Sequence, residues 1–198
     1  MAIHIALLCV LVLTPGADSV WEDLRDRYLA LTTLSGSFDQ TICSDEQGTC
    51  QTFSGSFVIE MPDRYRIEVA APDSQLIVSD RTGIWFYFPK DNYAVRQASA
   101  RSIPLMAFLE PMLDSTAAVS YADSTPGALV LAVTTADSVM SLHGMKLELD
   151  SSAGRIAGFS FVDAWGNDYH FRLSGQRWNQ DLPEDAFSFT PPEGTIIE

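Results

Sequence analysis

Cys43 and Cys50 bracket the polar stretch Ser44-Asp45-Glu46-Gln47-Gly48-Thr49, whose composition, with a Gly near its end, is that of a hairpin loop. Two cysteines facing each other across a hairpin end would, in an oxidising compartment, close the turn as a disulfide. Free thiols are the second reading. A metal site is the third, and it would need about two more thiolate or imidazole ligands, for which His143 and His170 are the remaining candidates. Both histidines fall in alternating strand segments, His170 on the wet face, so each reads as a surface residue rather than a base. Asp163, Asp168 and Asp181 could pair in space as the acid and base of a glycosidase, yet nothing in their spacing selects them. The chain carries no G-x-S-x-G elbow, no H-E-x-x-H, no phosphate-cradling glycine loop and no EF-hand spacing. These residues point to no enzyme, no metal and no cofactor. A binding protein is the better reading.

The segment that could bind is Ser102-Ile103-Pro104-Leu105-Met106-Ala107-Phe108-Leu109-Glu110-Pro111-Met112-Leu113. Ser102 can cap a short helix with Pro104 in its first turn, and Pro111 bends or ends it. The helix is apolar nearly all round and holds two methionines, side chains that adapt to several apolar shapes. Composition alone favours an ordinary core helix over an adaptable binding surface.

The 198-residue chain has 12 basic and 26 acidic residues, a formal charge of −14. Recognition of nucleic acid needs clustered Lys and Arg, which this balance lacks. A 46% hydrophobic fraction with only 19% charged residues can bury a sizeable core. Ala2 to Leu13 is apolar except for His4, and Thr14-Pro15-Gly16 ends the run. About a dozen apolar residues suit the apolar core of a secretory leader and fall short of the roughly 20 that span a bilayer. Residues 1–19 therefore read as a cleaved signal peptide and 20–198 as one domain, although the leader has no Lys or Arg before its apolar run. A buried N-terminal strand is the alternative.

The elements around these features are few helices and many short strands. Val20, Trp21, Leu24, Tyr28, Leu29 and Leu31 predict an amphipathic helix capped by Asp18 or Ser19 and ending near Leu34. From Ser37 the period becomes two. Gly55, Phe57, Ile59 and Met61 share one face, and after the Met61-Pro62-Asp63 turn Tyr65, Ile67 and Val69 share the corresponding face of the next strand. Further strands are predicted near 74–80, 84–88 and 92–98, then 116–122, 128–134, 139–150, 155–163, 167–174 and 186–190. Residues 84–88 are apolar on both faces and should be covered on both sides. About ten or eleven antiparallel strands with an N-terminal helix and a mid-chain helix describe an α+β half-barrel, one large curved sheet wrapping helices.

Several short stretches carry a resemblance through their order. They are Leu34-Ser35-Gly36-Ser37-Phe38-Asp39-Gln40, then Gly55 to Arg66, Pro72, Leu76-Ile77-Val78-Ser79-Asp80 and Gly83-Ile84-Trp85-Phe86-Tyr87. Pro104-Leu105-Met106, Asp163-Ala164-Trp165-Gly166-Asn167 and Phe187 to Gly194 complete the series. None is specific by itself, but in their order over nearly the whole chain they resemble the LolA family of lipoprotein carriers.

The resemblance implies an incomplete antiparallel β-barrel whose helices close a hydrophobic cavity for lipoprotein acyl chains. By strand parity Phe57, Ile59, Met61, Tyr65, Ile67 and Val69 would line that cavity, with Leu105, Met106 and Leu109 facing them from the lid; a one-residue register slip would reverse every strand assignment. It further implies a monomeric periplasmic carrier, an inner-membrane ATP-driven lipoprotein release complex that loads it, and an outer-membrane acceptor. A binder or sensor of another lipid on the same fold is the alternative: a glycolipid, a phospholipid or a mislocalised lipoprotein. One position departs from the family, whose members commonly carry an Arg before the Pro matched here to Pro62, where it ties lid to barrel. This chain has Met61, so another polar group must latch the lid, or its closure is purely apolar.

Overall fold

A computed structural model describes residues 16–44, 46–98, 103–122, 129–135, 143–150 and 152–198. Helix α1 spans Ala17–Leu29 and buries Trp21, Leu24 and Tyr28. The predicted extension to Leu34 does not occur. Leu31 and Leu34 keep the helical spacing, but Thr32 and Thr33 between them are β-branched and stiff at χ1, and Thr33 already opens the first strand. Gly16 holds the N-cap position and no side chain caps the helix, so Asp18 and Ser19 do not serve as expected. The leader residues 1–15 lie outside the described residues.

Strands β1 (Thr33–Ser44), β2 (Thr49–Glu60), β3 (Arg64–Ala71), β4 (Gln75–Ser79), β5 (Ile84–Phe88) and β6 (Tyr93–Gln97) follow as a meander. A 3₁₀ segment, Pro104–Leu109, then runs into a single α-helical turn, α2 (Glu110–Leu113). Pro104 stands at the start of the first piece and Pro111 at the start of the second, where a missing N–H costs no hydrogen bond. The predicted helix is thus real but divided, and its expected cap Ser102 lies outside the described residues. Strands β7 (Ala118–Tyr121), β8 (Leu129–Thr134), β9 (His143–Asp150), β10 (Arg155–Val162) and β11 (Asn167–Trp178) complete the meander, and β12 (Ile196–Ile197) ends the chain. The predicted stretch 139–142 before β9 also lies outside the described residues.

Among the described residues the twelve strands form one open sheet, in the order β12-β6-β5-β4-β3-β2-β1-β11-β10-β9-β8-β7. The pairing of β1 with β11 brings the two halves of the meander together at the centre. The register places Phe57 opposite Ile67 and Ile59 opposite Tyr65, and it carries the same apolar row through Ile77, Phe86 and Val95. On the other half the corresponding row is Leu173, Phe171, Phe159 and Leu147. The sheet therefore has one continuous apolar face, and the helices α1 and 104–113 pack in the same core cluster. Glycines make room for its rings. Phe57 lies across from Gly36 and Phe38 across from Gly55, and a Cβ at Gly36 would come within 2.9 Å of the Ser174 carbonyl.

The predicted strand at 186–190 is absent. Residues 184–187 form a turn, and the segment lies over the opposite face of the sheet. Phe187 is buried beneath the Arg64 guanidinium, 4.7 Å from the ring centre, and Phe189 packs on Trp85 at 5.8 Å and Tyr87 at 5.3 Å. The period of two in Phe187-Ser188-Phe189 comes from an extended chain laid on a sheet, not from pairing within it. This strap also explains the doubly apolar β5: Ile84 and Phe86 face the helices, and Trp85 and Tyr87 face the strap. Instead of 186–190, Ile196–Ile197 extends the sheet by pairing parallel to β6, tied by the Tyr93 hydroxyl donating to Glu198 Oε2 at 2.5 Å.

Candidate functional site

Neither histidine has a reactive setting. His143 is exposed at the start of β9, and His170 is exposed on β11 with Nε2 3.0 Å from the Asp168 carboxylate. Asp163 is buried within the β10–β11 turn, and Asp181 is exposed at the start of the strap. Among the described residues no three His, Cys, Asp or Glu side chains stand where they could hold a metal. Cys43 and Cys50 are opposite each other in the β1–β2 register and form a disulfide, so of the three readings of this pair the disulfide is correct.

What remains is the apolar face beneath the helices. Phe57, Ile59, Tyr65 and Ile67 are buried on it, Val69 is half-buried, and Met61 is half-buried in the turn after β2, its N–H donating to the Thr32 carbonyl at 2.9 Å. From the other side Leu105 and Leu109 are buried and Met106 is half-buried. Where the sequence leads one to expect a cavity, the described side chains meet each other. Phe57 is 1% exposed and Phe108 is fully buried. The Phe108 ring packs 5.2 Å from Phe159 and 6.1 Å from Tyr28, and Phe159 in turn stacks on Phe171 at 4.4 Å. Burial then falls off across the sheet: Ile77, Phe86 and Val95, farther along the same row, are half-buried. The face is covered most tightly under the helices and is reachable toward β4–β6.

The aromatic half of the face on β10 and β11, with Phe159, Phe161 and Phe171, was not among the residues singled out in the sequence. The signal was present in the alternation of Phe159 with Phe161 and of Tyr169, Phe171 and Leu173. One apolar face of the 167–174 strand is legible in the sequence, but only the pairing through β1 reveals that it continues the surface begun by β2 and β3.

Polar contacts from Tyr28, Arg25 and Arg27 help hold α1 in place; the Arg27 guanidinium donates to the Gly154 carbonyl at 3.4 Å. The Tyr28 hydroxyl accepts the Ile156 N–H at 3.0 Å, and burial pushes the phenol up to about 12, partly opposed by that bond and by Arg155. Arg25 Nε donates to the Met112 carbonyl at 2.9 Å. That carbonyl is one of those left without an intrahelical partner at the end of α2. Arg25 thus ties one helix to the other, whereas Arg64 pairs with Glu60 and covers Phe187 on the far face of the sheet. With Met61 in the turn, the polar tie to the 104–113 helices comes from Arg25 of α1.

The sequence profile of the family described as outer membrane lipoprotein carrier protein LolA matches residues 30–190. An outer-membrane lipoprotein carrier protein of Methylibium petroleiphilum is 27% identical, the match covering 98% of this chain and 96% of the relative. One of Halorhodospira halophila is 28% identical over 95% of this chain and 89% of its own length. Among solved structures, a conserved protein of Thermus thermophilus superposes with a TM-score of 0.57 at 12% identity, covering 91% of this chain and 97% of that one, and so shares the fold. The profile match begins just after α1, runs through the strap, and takes in the apolar face and the 104–113 part of its helical cover; the chain belongs to the LolA family.

Proposed function

We propose that the protein is a periplasmic carrier that shields the acyl chains of lipoproteins between its apolar sheet face and its helices, and moves them from the inner to the outer membrane. The observation that carries this reading is the continuous apolar face, Phe57–Ile67–Ile77–Phe86–Val95, buried under two short helices at one end and half-buried at the other. The names of the relatives support it at the level of family. Members of this family carry rather than catalyse, so the chain is not an enzyme.

Magnitudes set the mechanism. Keeping one acyl chain of about 16 carbons out of water is worth roughly 12 kcal/mol at about 0.8 kcal/mol per CH₂, so a carrier must enclose it. The described state is closed, with Phe108 in the place a guest would take. Loading then requires the helices at 17–29 and 104–113 to lift from the sheet. The guest's chain would replace Phe108, Leu105, Met106 and Leu109 against Phe57, Ile59, Met61, Tyr65, Ile67 and Val69. A closed and an open state separated by a few kcal/mol allows both shielding and release, because cargo that binds only the open state shifts that balance.

In this reading residues 1–19 are the export signal, removed in the mature carrier. The loading partner is an inner-membrane ATP-driven release complex, and the receiving partner is an outer-membrane acceptor. Removing the leader takes Asp18 with it and leaves 12 basic and 25 acidic residues. A chain so acidic is repelled by an anionic bilayer once loaded, which suits a shuttle.

The test is extraction of the protein from the periplasm in its native state, followed by mass spectrometry. An acylated lipoprotein N-terminus, recovered at about one per chain, is the expected guest. A free phospholipid or glycolipid in its place would replace the proposal with the other-lipid reading, and no lipid under any loading condition would overturn both.

A further inference from the structure

Trp165 is 85% exposed at the tip of the β10–β11 hairpin, far more open than the other large apolar side chains near it in sequence. Its loop is braced. Asp163 Oδ1 accepts the Trp165 and Asn167 N–H groups at 2.9 Å each, and Oδ2 accepts Asn167 Nδ2 at 2.9 Å. Gly166, with φ of 81°, supplies the left-handed residue that closes the turn and donates to the Asp163 carbonyl. Burial raises the Asp163 carboxyl, and the hydrogen bonds from Asn167 and Trp165 outweigh it and hold the group below its ordinary value. The adjacent hairpin is braced as well: Ser44 pairs with Asn167 and Cys43 with Asp168 across the β1–β11 register, and the disulfide sits at that point.

An indole on so fixed a loop loses little freedom when it docks, which is the property of an interface anchor. Trp is also among the residues that dominate binding energy at interfaces. The charge around it selects the partner. Residues 41–44, 46–51 and 162–171 contain no Lys or Arg, while Glu46, Asp163 and Asp168 lie in them. An anionic bilayer surface would repel such a tip; a protein pocket rimmed by Lys and Arg would attract it.

We propose that Trp165 is the anchor of a protein-docking surface at the β10–β11 and β1–β2 hairpin tips, fitting a partner with an apolar slot inside a basic rim. The choice of partner rests on the carrier reading: it is the inner-membrane release complex that loads the protein. The experiment measures binding of the full chain, Trp165→Ala and Trp165→Phe to the lipoprotein release complex in nanodiscs of phosphatidylethanolamine and phosphatidylglycerol, with empty nanodiscs of the same lipids beside them. The alanine variant should bind about 30-fold more weakly, the phenylalanine variant should fall between, and added salt should weaken the wild type. Both variants should melt at the parent temperature, and empty nanodiscs should bind none of the three. Equal binding by Trp165→Ala overturns the proposal, as does a wild type that ignores the complex. Binding to empty nanodiscs with a blue-shifted indole would make the tip a lipid anchor, and Trp165-dependent self-association would make it a dimer contact; either result also overturns it. Loading with acylated lipoprotein presented in detergent micelles, without the complex, should be unchanged in both variants. If no variant loads, the carrier reading fails, and the docking result is still read on its own.

Discussion

Arg25→Met removes the polar tie between the helices and keeps the aliphatic stem. The bond it deletes runs from Arg25 Nε to the Met112 carbonyl at 2.9 Å in a half-buried setting. Hydrogen bonds from a charged donor contribute about 1.5–3 kcal/mol when well shielded, and partial exposure reduces this to about 1 kcal/mol. If the tie exists only in the closed state, its loss raises the open population about fivefold. Apparent affinity for a guest that needs the open state rises by the same factor. The assay is titration with an environment-sensitive fluorescent fatty acid, together with hydrogen exchange over 103–113. The variant should bind the probe about fivefold more tightly, exchange faster at Phe108 and Leu109, and melt about 2–4 °C lower. Arg25→Lys keeps the charge without the planar fork and should lie between. Unchanged affinity with unchanged exchange would show that Arg25 does not hold the helices down, and weaker binding would show that the open state is not the one that takes the guest.

Phe108→Ala removes the fully buried ring between Tyr28 and Phe159; a loss of about 3–5 kcal/mol is expected, a melting temperature roughly 10 °C or more lower by calorimetry. Replacing Cys43 and Cys50 by Ser opens a loop with a sequence separation of 7, and chain entropy sets the loss at about 2.5 kcal/mol, read as a lower denaturant midpoint that reductant no longer shifts. The lowered carboxyl of Asp163 contributes stability that is present above the ordinary carboxylate value near 3.9 and is lost as pH falls through the lower folded value. Asp80 and Asp150, held down first by the Thr82 and Ser152 hydroxyls, act in the same direction. Asp163→Asn should therefore unfold more readily than the parent at pH 7, with the gap narrowing toward pH 3.

Strand parity was readable wherever one face is wet and the other is not, as in Met145-Lys146-Leu147-Glu148-Leu149, and there the sequence and the structure agree. The facing of Phe57, Ile59, Tyr65 and Ile67 was equally legible, because Arg64, Arg66 and Glu68 mark the other side. Three features were not. The end of α1 was hidden because Leu31 and Leu34 continue the helical spacing into a strand. The strap was mistaken for a strand because Phe187 and Phe189 alternate for a different reason. The Arg25 tie joins residues 87 positions apart, and no local pattern encodes it. Nor does composition distinguish an apolar helix packed as core from one that can lift, since both need the same side chains.

The most direct test of the carrier account uses two neighbours on β3. Val69 is half-buried on the helix side of the sheet, and Glu68 is exposed on the other. A photo-crosslinking amino acid placed at one position or the other, in protein loaded with acylated lipoprotein, differs only in the face it reports. Crosslinks to the acyl chains from position 69 and none from position 68 are the predicted result; equal labelling from both, or none from 69 in protein shown to be loaded, would contradict it.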